Sequence, residues 1–144
     1  MILLMCLIVG SSCMMSEDDD WLDELICEFE QKIEARKLRN ENPHVLHLIR
    51  VLWPFAEGGL IRRYAVERVW RLRNDVGVRM PKEFEATVQS AYNNYCEKSD
   101  VFVRRNAKPE EALFYPVGRK GSGRWEVDRN RAEAWLRKKN LESR

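Results

Sequence analysis

The stretch Ala112-Leu113-Phe114-Tyr115-Pro116-Val117-Gly118-Arg119-Lys120-Gly121-Ser122-Gly123-Arg124-Trp125-Glu126-Val127 decides the fold. Residues 112–117 are apolar and β-prone. Residues 118–123 carry three glycines and two cations, the composition of a turn. Arg124 to Val127 alternates polar with apolar, as a half-buried strand does. The run predicts a β-hairpin with a basic, glycine-rich tip. Gly118, Gly121 and Gly123 would let that tip approach a partner closely. Such a turn is also common on surfaces that bind nothing.

Working back toward the N-terminus, Pro81 opens a helix expected to reach about Lys98. Phe84, Val88, Ala91 and Tyr95 fall on its inner face. The opposite face holds Lys82, Ala86, Gln89, Ser90 and Asn93, and is uncharged apart from Lys82. A preceding helix from near Leu60 turns Ile61, Tyr64, Ala65, Val69 and Leu72 inward. Its outer face is basic, with Arg62, Arg63, Arg68, Arg71 and Arg73. Gly77 is a left-handed stop after it. An earlier helix from Pro43 to Trp53 takes Asn42 as its cap. Val101-Phe102-Val103 reads as a strand and residues 106–111 as a loop. Asp128 caps a last helix carrying Ala132, Trp135 and Leu136.

The chain has 144 residues, 33% of them charged, and a net charge of +2. The near-neutral total hides an asymmetry. Residues 16–35 hold nine acids (Glu17, Asp18, Asp19, Asp20, Asp23, Glu24, Glu28, Glu30, Glu34) against Lys32 alone. The remaining 24 bases and 14 acids all lie in residues 36–144. A basic body suits a polyanionic partner, although a solvated surface with a solubilising acidic tail has the same composition. Residues 16–41 form an acidic amphipathic helix with Trp21, Leu22, Leu25, Ile26, Phe29 and Ile33 on one stripe. That stripe packs on the domain or pairs with a second copy or partner protein through residues 20–39. The acidic arm is also a candidate cover for the basic surface.

Residues 1–15 are an apolar tail too short to span a bilayer, and no Lys or Arg precedes Lys32. It reads as a mis-assigned start, with Met14 and Met15 available, or else as a weak signal or lipid anchor. Cys6, Cys13, Cys27 and Cys96 form no C-x-x-C pair and match no zinc spacing. Scattered thiols fit a reducing, cytoplasmic setting, with no stable membrane association expected.

The expected fold is therefore mainly α with a small antiparallel β-hairpin or sheet. It is a winged helix-turn-helix over residues 42–140, with an N-terminal helical extension and a tail at 141–144. In that architecture the last of three helices enters the major groove of DNA. Gln89, Ser90 and Asn93 suit base edges. Lys82, Arg119, Lys120 and Arg124 suit phosphates, with Arg62 and Arg63 as secondary contacts. Double-stranded DNA is the expected partner, and a protein-assembly platform is the alternative.

The runs Pro81–Val88, Tyr95–Phe102, Ala112–Gly118 and Gly121–Val127 carry a further pattern. It comprises Thr87-Val88 in the helix core, Ser99-Asp100-x-Phe102 leading into the sheet, Leu113-Phe114-Tyr115 in a strand, and Gly121-x-Gly123-x-Trp125 in the wing. This pattern resembles HARE-type winged helices, the helix-turn-helix of restriction-associated bacterial proteins and some chromatin factors. The resemblance covers roughly a third of the chain closely. It implies DNA binding beside a nuclease or methyltransferase, with sensitivity to base modification. The long 104–111 loop and the Arg-rich second and third helices depart from it.

No phosphate loop, nucleophile elbow or H-E-x-x-H motif is present. His44 and His47 stand three apart on one helix but lack a third ligand at a plausible spacing. Neither catalysis nor a cofactor or metal is expected.

Overall fold

Trp125 lies in the middle strand of a three-stranded antiparallel sheet in the computed structural model. The structure describes residues 20–36, 43–55, 58–118 and 123–142. Strand β1 is Leu60–Ile61, β2 is Phe114–Pro116 and β3 is Arg124–Val127, in the order β1-β3-β2. Leu60 pairs with Trp125, while Phe114 pairs with Val127 and Pro116 with Trp125. Alternation along β3 sends Trp125 and Val127 to the core. Gly59, just before β1, must be glycine. It has φ +69°, and an added Cβ would sit 2.6 Å from both the Trp125 carbonyl oxygen and Val117 Cγ2.

Six helices accompany this sheet among the described residues. They are α1 (Asp20–Arg36), α2 (His44–Leu52), α3 (Arg62–Arg71), α4 (Lys82–Asn94), α5 (Asp100–Arg104) and α6 (Arg129–Glu142). Short 3₁₀ turns occupy Trp53–Phe55 and Pro109–Glu111. The fold is mainly α with a small antiparallel sheet, as expected. Among the described residues, no helix is long and apolar enough to cross a membrane.

Several local expectations are corrected. Val101-Phe102-Val103 is helical, in α5, and not a strand. The Ser99 hydroxyl accepts from Phe102 N at 3.1 Å and caps the first turn, with Asp100 at its positive end. This local capping overrides β-propensity. Leu60 and Ile61 form β1, so the helix after them starts at Arg62. That later start rotates the face, so Val66 is buried and Tyr64 exposed. Helix α4 stops at Asn94, four residues before Lys98. Arg105 donates to the freed Asn94 carbonyl from Nε at 3.1 Å. Cys96 is a free buried thiol, whereas Cys27 is disulfide-bonded, which the reading of scattered thiols did not anticipate.

The stripe on α1 packs on this chain's own core. Leu22, Ile26 and Phe29 are buried there, and the Phe29 ring lies 5.6 Å from that of Trp135 on α6. Each such burial contributes about 1.5–3 kcal/mol. Lys32 Nζ donates to the Asn140 carbonyl at 2.8 Å, a second tie to α6. Two acids of α1, Asp23 and Glu30, reach α2 and the turn after α3. Asp23 lies 3.0 Å from Arg50, and Glu30 lies 2.7 Å from His47 and 2.9 Å from Arg73. Glu30 thus pairs with Arg73, one of the basic residues expected on α3, and Asp23 with Arg50.

Candidate nucleic-acid interface

Burial of Val88, Ala91 and Tyr92 sets the rotation of α4. Tyr92 stacks flat on Trp125, with ring centroids 4.0 Å apart and planes 10° apart. Its ring also stacks with Phe114 at 5.7 Å. The remaining residues of α4 divide into two lines at i, i+4, i+8 spacing. Lys82, Ala86 and Ser90 are exposed. Glu85, Gln89 and Asn93 are half-buried along the side facing the sheet. The helical wheel merged Gln89 and Asn93 with the first line and left Glu85 out.

Gln89 and Asn93 of the second line border a groove of about 270 Å³ between α4 and the base of the β2–β3 hairpin. Tyr92, Cys96 and Trp125 are its buried floor, and Arg62, Lys98 and Gly123 its exposed rim. Gln89, Asn93, Ser99 and Pro116 form the walls between. The Ser99 hydroxyl is engaged, donating to the Asn93 carbonyl. No side-chain hydrogen bond joins the Gln89 or Asn93 amide to another described residue.

Charge at the rim is partly balanced. Arg62 Nε lies 3.8 Å from the Glu85 carboxylate, with both side chains about half exposed. Such a pair contributes at most about 1 kcal/mol. Arg62 itself is fixed by its backbone N–H, which donates to the Gly123 carbonyl at 2.8 Å. The Arg62 position is thereby tied to the start of β3.

The structure brings Arg62, Gln89 and Asn93 together at the groove. Ser90 and Lys82 stand on the adjoining exposed line. Arg124 is exposed on β3 and donates to the Gly58 carbonyl at 3.3 Å. Arg63 is exposed, its guanidinium 5.3 Å from the Tyr64 ring centre and away from the groove lining. Arg119 and Lys120 lie outside the described residues. Sequence reading missed Lys98, Glu85 and Tyr92. Tyr92 follows Val88 by four and was available as an inward residue. Lys98 had no signal, because its place depends on where α4 ends.

The two histidines build a different cluster. His47 Nε2 lies 2.7 Å from Glu30, and His44 Nδ1 lies 3.3 Å from His47 Nδ1. The His44 ring meets Phe84 of α4 edge-on at 5.1 Å. Burial pushes the His44 imidazole down to about 4, and the charges of His47 and Arg73 add to this. Burial raises the Glu30 carboxyl, but hydrogen bonds and charge from His47 and Arg73 outweigh it and hold it below its ordinary value. The cluster pins α1 to α2 and α3. Among the described residues, no group of three or more His, Cys, Asp and Glu side chains could hold a metal ion.

No family model matches this chain, nor does any curated protein or solved structure.

Proposed function

We propose that residues 44–140 form a winged-helix module that binds duplex DNA, with α4 as the recognition helix. One observation carries the reading. The exposed line Lys82, Ala86, Ser90 runs beside Gln89 and Asn93, whose amides have no partner among the described residues, and Arg62 and Lys98 stand at the same edge. Amide and hydroxyl groups suit base edges, and flanking cations suit phosphates. The strand order β1-β3-β2, with α3 and α4 between β1 and β2, supports the same reading. So does the resemblance to HARE-type winged helices. Burial of Leu22, Ile26 and Phe29 in the chain's own core supports this reading over docking through residues 20–39.

The test is a salt series of binding to duplex DNA. Phosphate contacts make log K fall with log salt, by several units in slope. Arg62→Ala flattens that slope by about one unit. Gln89→Ala or Asn93→Ala relaxes sequence preference at one base pair, by about 1–3 kcal/mol of discrimination. A flat salt response would overturn the reading.

A further inference from the structure

The outer face of α3 carries arginines and an aromatic ring that the duplex reading does not use. Alternation along β1 and β3 sends the register partners Ile61 and Arg124 to the face opposite Leu60 and Trp125. Ile61, Tyr64 and Arg68 then follow at i, i+3 and i+7, one line along α3. Trp70 marks the flank turned to α4, since its ring meets Phe84 at 4.8 Å. Arg68, two residues before it, lies about 200° round the helix, on the far side. This surface is therefore separate from the exposed line Lys82, Ala86, Ser90.

Two features of the surface point to a ligand. Ile61 is 38% exposed and Tyr64 45%, so apolar and aromatic area is open to water beside cations. The cations are held by rings instead of acids. Arg68 Cζ lies 5.0 Å from the Phe55 ring centre, and Arg63 Cζ lies 5.3 Å from that of Tyr64. Arg62 and Arg73, at either end of α3, each pair with a carboxylate. Arg63 and Arg68 form no ion pair with a described carboxylate, and Glu67, the acid of α3, pairs with neither. A guanidinium stacked on a ring keeps its full charge and keeps its N–H edge for an oxyanion.

This chemistry selects the partner. Guanidinium edges suit phosphates, and exposed rings or guanidinium planes suit the face of a base. A duplex hides its base faces in the stack. An acidic peptide brings charge without flat rings. A single strand offers phosphates and base faces together.

We propose that this face of α3 binds single-stranded nucleic acid, a base lying on the Arg63–Tyr64 stack and a phosphate meeting Arg68. The inference stands apart from the duplex reading. Where both hold, one molecule grips a duplex on α4 and a single strand on α3, as at a junction where a duplex opens.

The experiment measures anisotropy of a labelled oligothymidine strand with the full chain. Tyr64→Ala weakens binding about tenfold, within what one base–aromatic stack contributes. Tyr64→Phe keeps the ring and the parent's affinity. Arg68→Gln flattens the slope of log K against log salt by about 0.7, the value for one phosphate contact on a single strand. Tyr64 and Arg68 are both exposed, so these variants fold as the parent does, and thermal unfolding checks that. Gln89→Ala on α4 leaves strand binding unchanged, and an unlabelled blunt duplex does not displace the strand.

Equal strand affinity in Tyr64→Ala and the parent overturns the inference. So does the absence of strand binding, and duplex binding in that case leaves the proposed function standing. Displacement of the strand by duplex, with weakening in Gln89→Ala, puts the strand on α4 and overturns the inference as well. Binding of phosphatidylserine vesicles in place of the strand overturns it in favour of a lipid surface. Strand binding that Tyr64→Ala weakens, without duplex affinity, upholds the inference and removes the proposed function.

Discussion

Tyr92 of α4 lies flat on Trp125 of β3, and this stack, with a second on Phe114 of β2, ties the helix to the sheet. Offset or parallel aromatic pairs contribute about 0.5–1.5 kcal/mol beyond the area they bury. Trp125 also backs β1, through its pairing with Leu60. Trp125→Ala therefore costs about 3–5 kcal/mol of stability. Urea unfolding checks this, and a loss under about 1 kcal/mol would show that the stack is not what holds α4.

Gly59→Ala is expected to be destabilising by about 1–3 kcal/mol, because it combines a positive φ with a close approach to Trp125 and Val117. Gly77→Ala is the control. Gly77 has φ +103° but open space around it, so it suffers conformational strain alone. Thermal unfolding should rank Gly59→Ala as the more damaging.

Stability should fall on acidification between about pH 6.5 and 4. Unfolded His44 takes up a proton near 6.5, whereas the folded residue resists until about 4. In that window the unfolded state binds more protons, so acid favours it. The Glu30 carboxyl, held low, adds a further loss below about 4.5. His44→Gln should flatten the dependence of Tm on pH between 6.5 and 4. An unchanged slope would remove His44 as its source.

Glu85→Gln should tighten duplex binding with little change in Tm. The Arg62–Glu85 contact is half exposed and contributes little to folding. Removing the carboxylate also takes a negative charge off the face proposed to meet phosphates. Anisotropy at two salt concentrations checks this; weaker binding would mean that Glu85 itself contacts the nucleic acid.

Truncating α1 should unfold the protein instead of freeing its basic surface. Phe29→Ala alone costs about 3–5 kcal/mol, because the ring is fully buried against Trp135. A folded, tighter-binding truncation would restore the view of residues 20–36 as a removable cover.

The sequence alone determined the chain's main helices, its hairpin strands and the apolar stripe of α1, because periodicity and glycine placement act locally. It also identified Gln89 and Asn93 as outward polar residues. It could not place β1, since two residues at Leu60–Ile61 carry no periodicity and gain strand geometry only by pairing with β3. It misread Val101–Val103, where the Ser99 cap outweighs the propensity of β-branched residues. The destination of the α1 stripe was likewise undecided until packing sent it to α6 and α2. The groove is a tertiary object throughout. Arg62, Tyr92, Lys98 and Trp125 come from four separate segments, and only the packing of α4 on the sheet brings them to one place. The hairpin sequence predicted the paired strands β2 and β3; the tertiary structure added a groove at their base, because Trp125 packs on Tyr92.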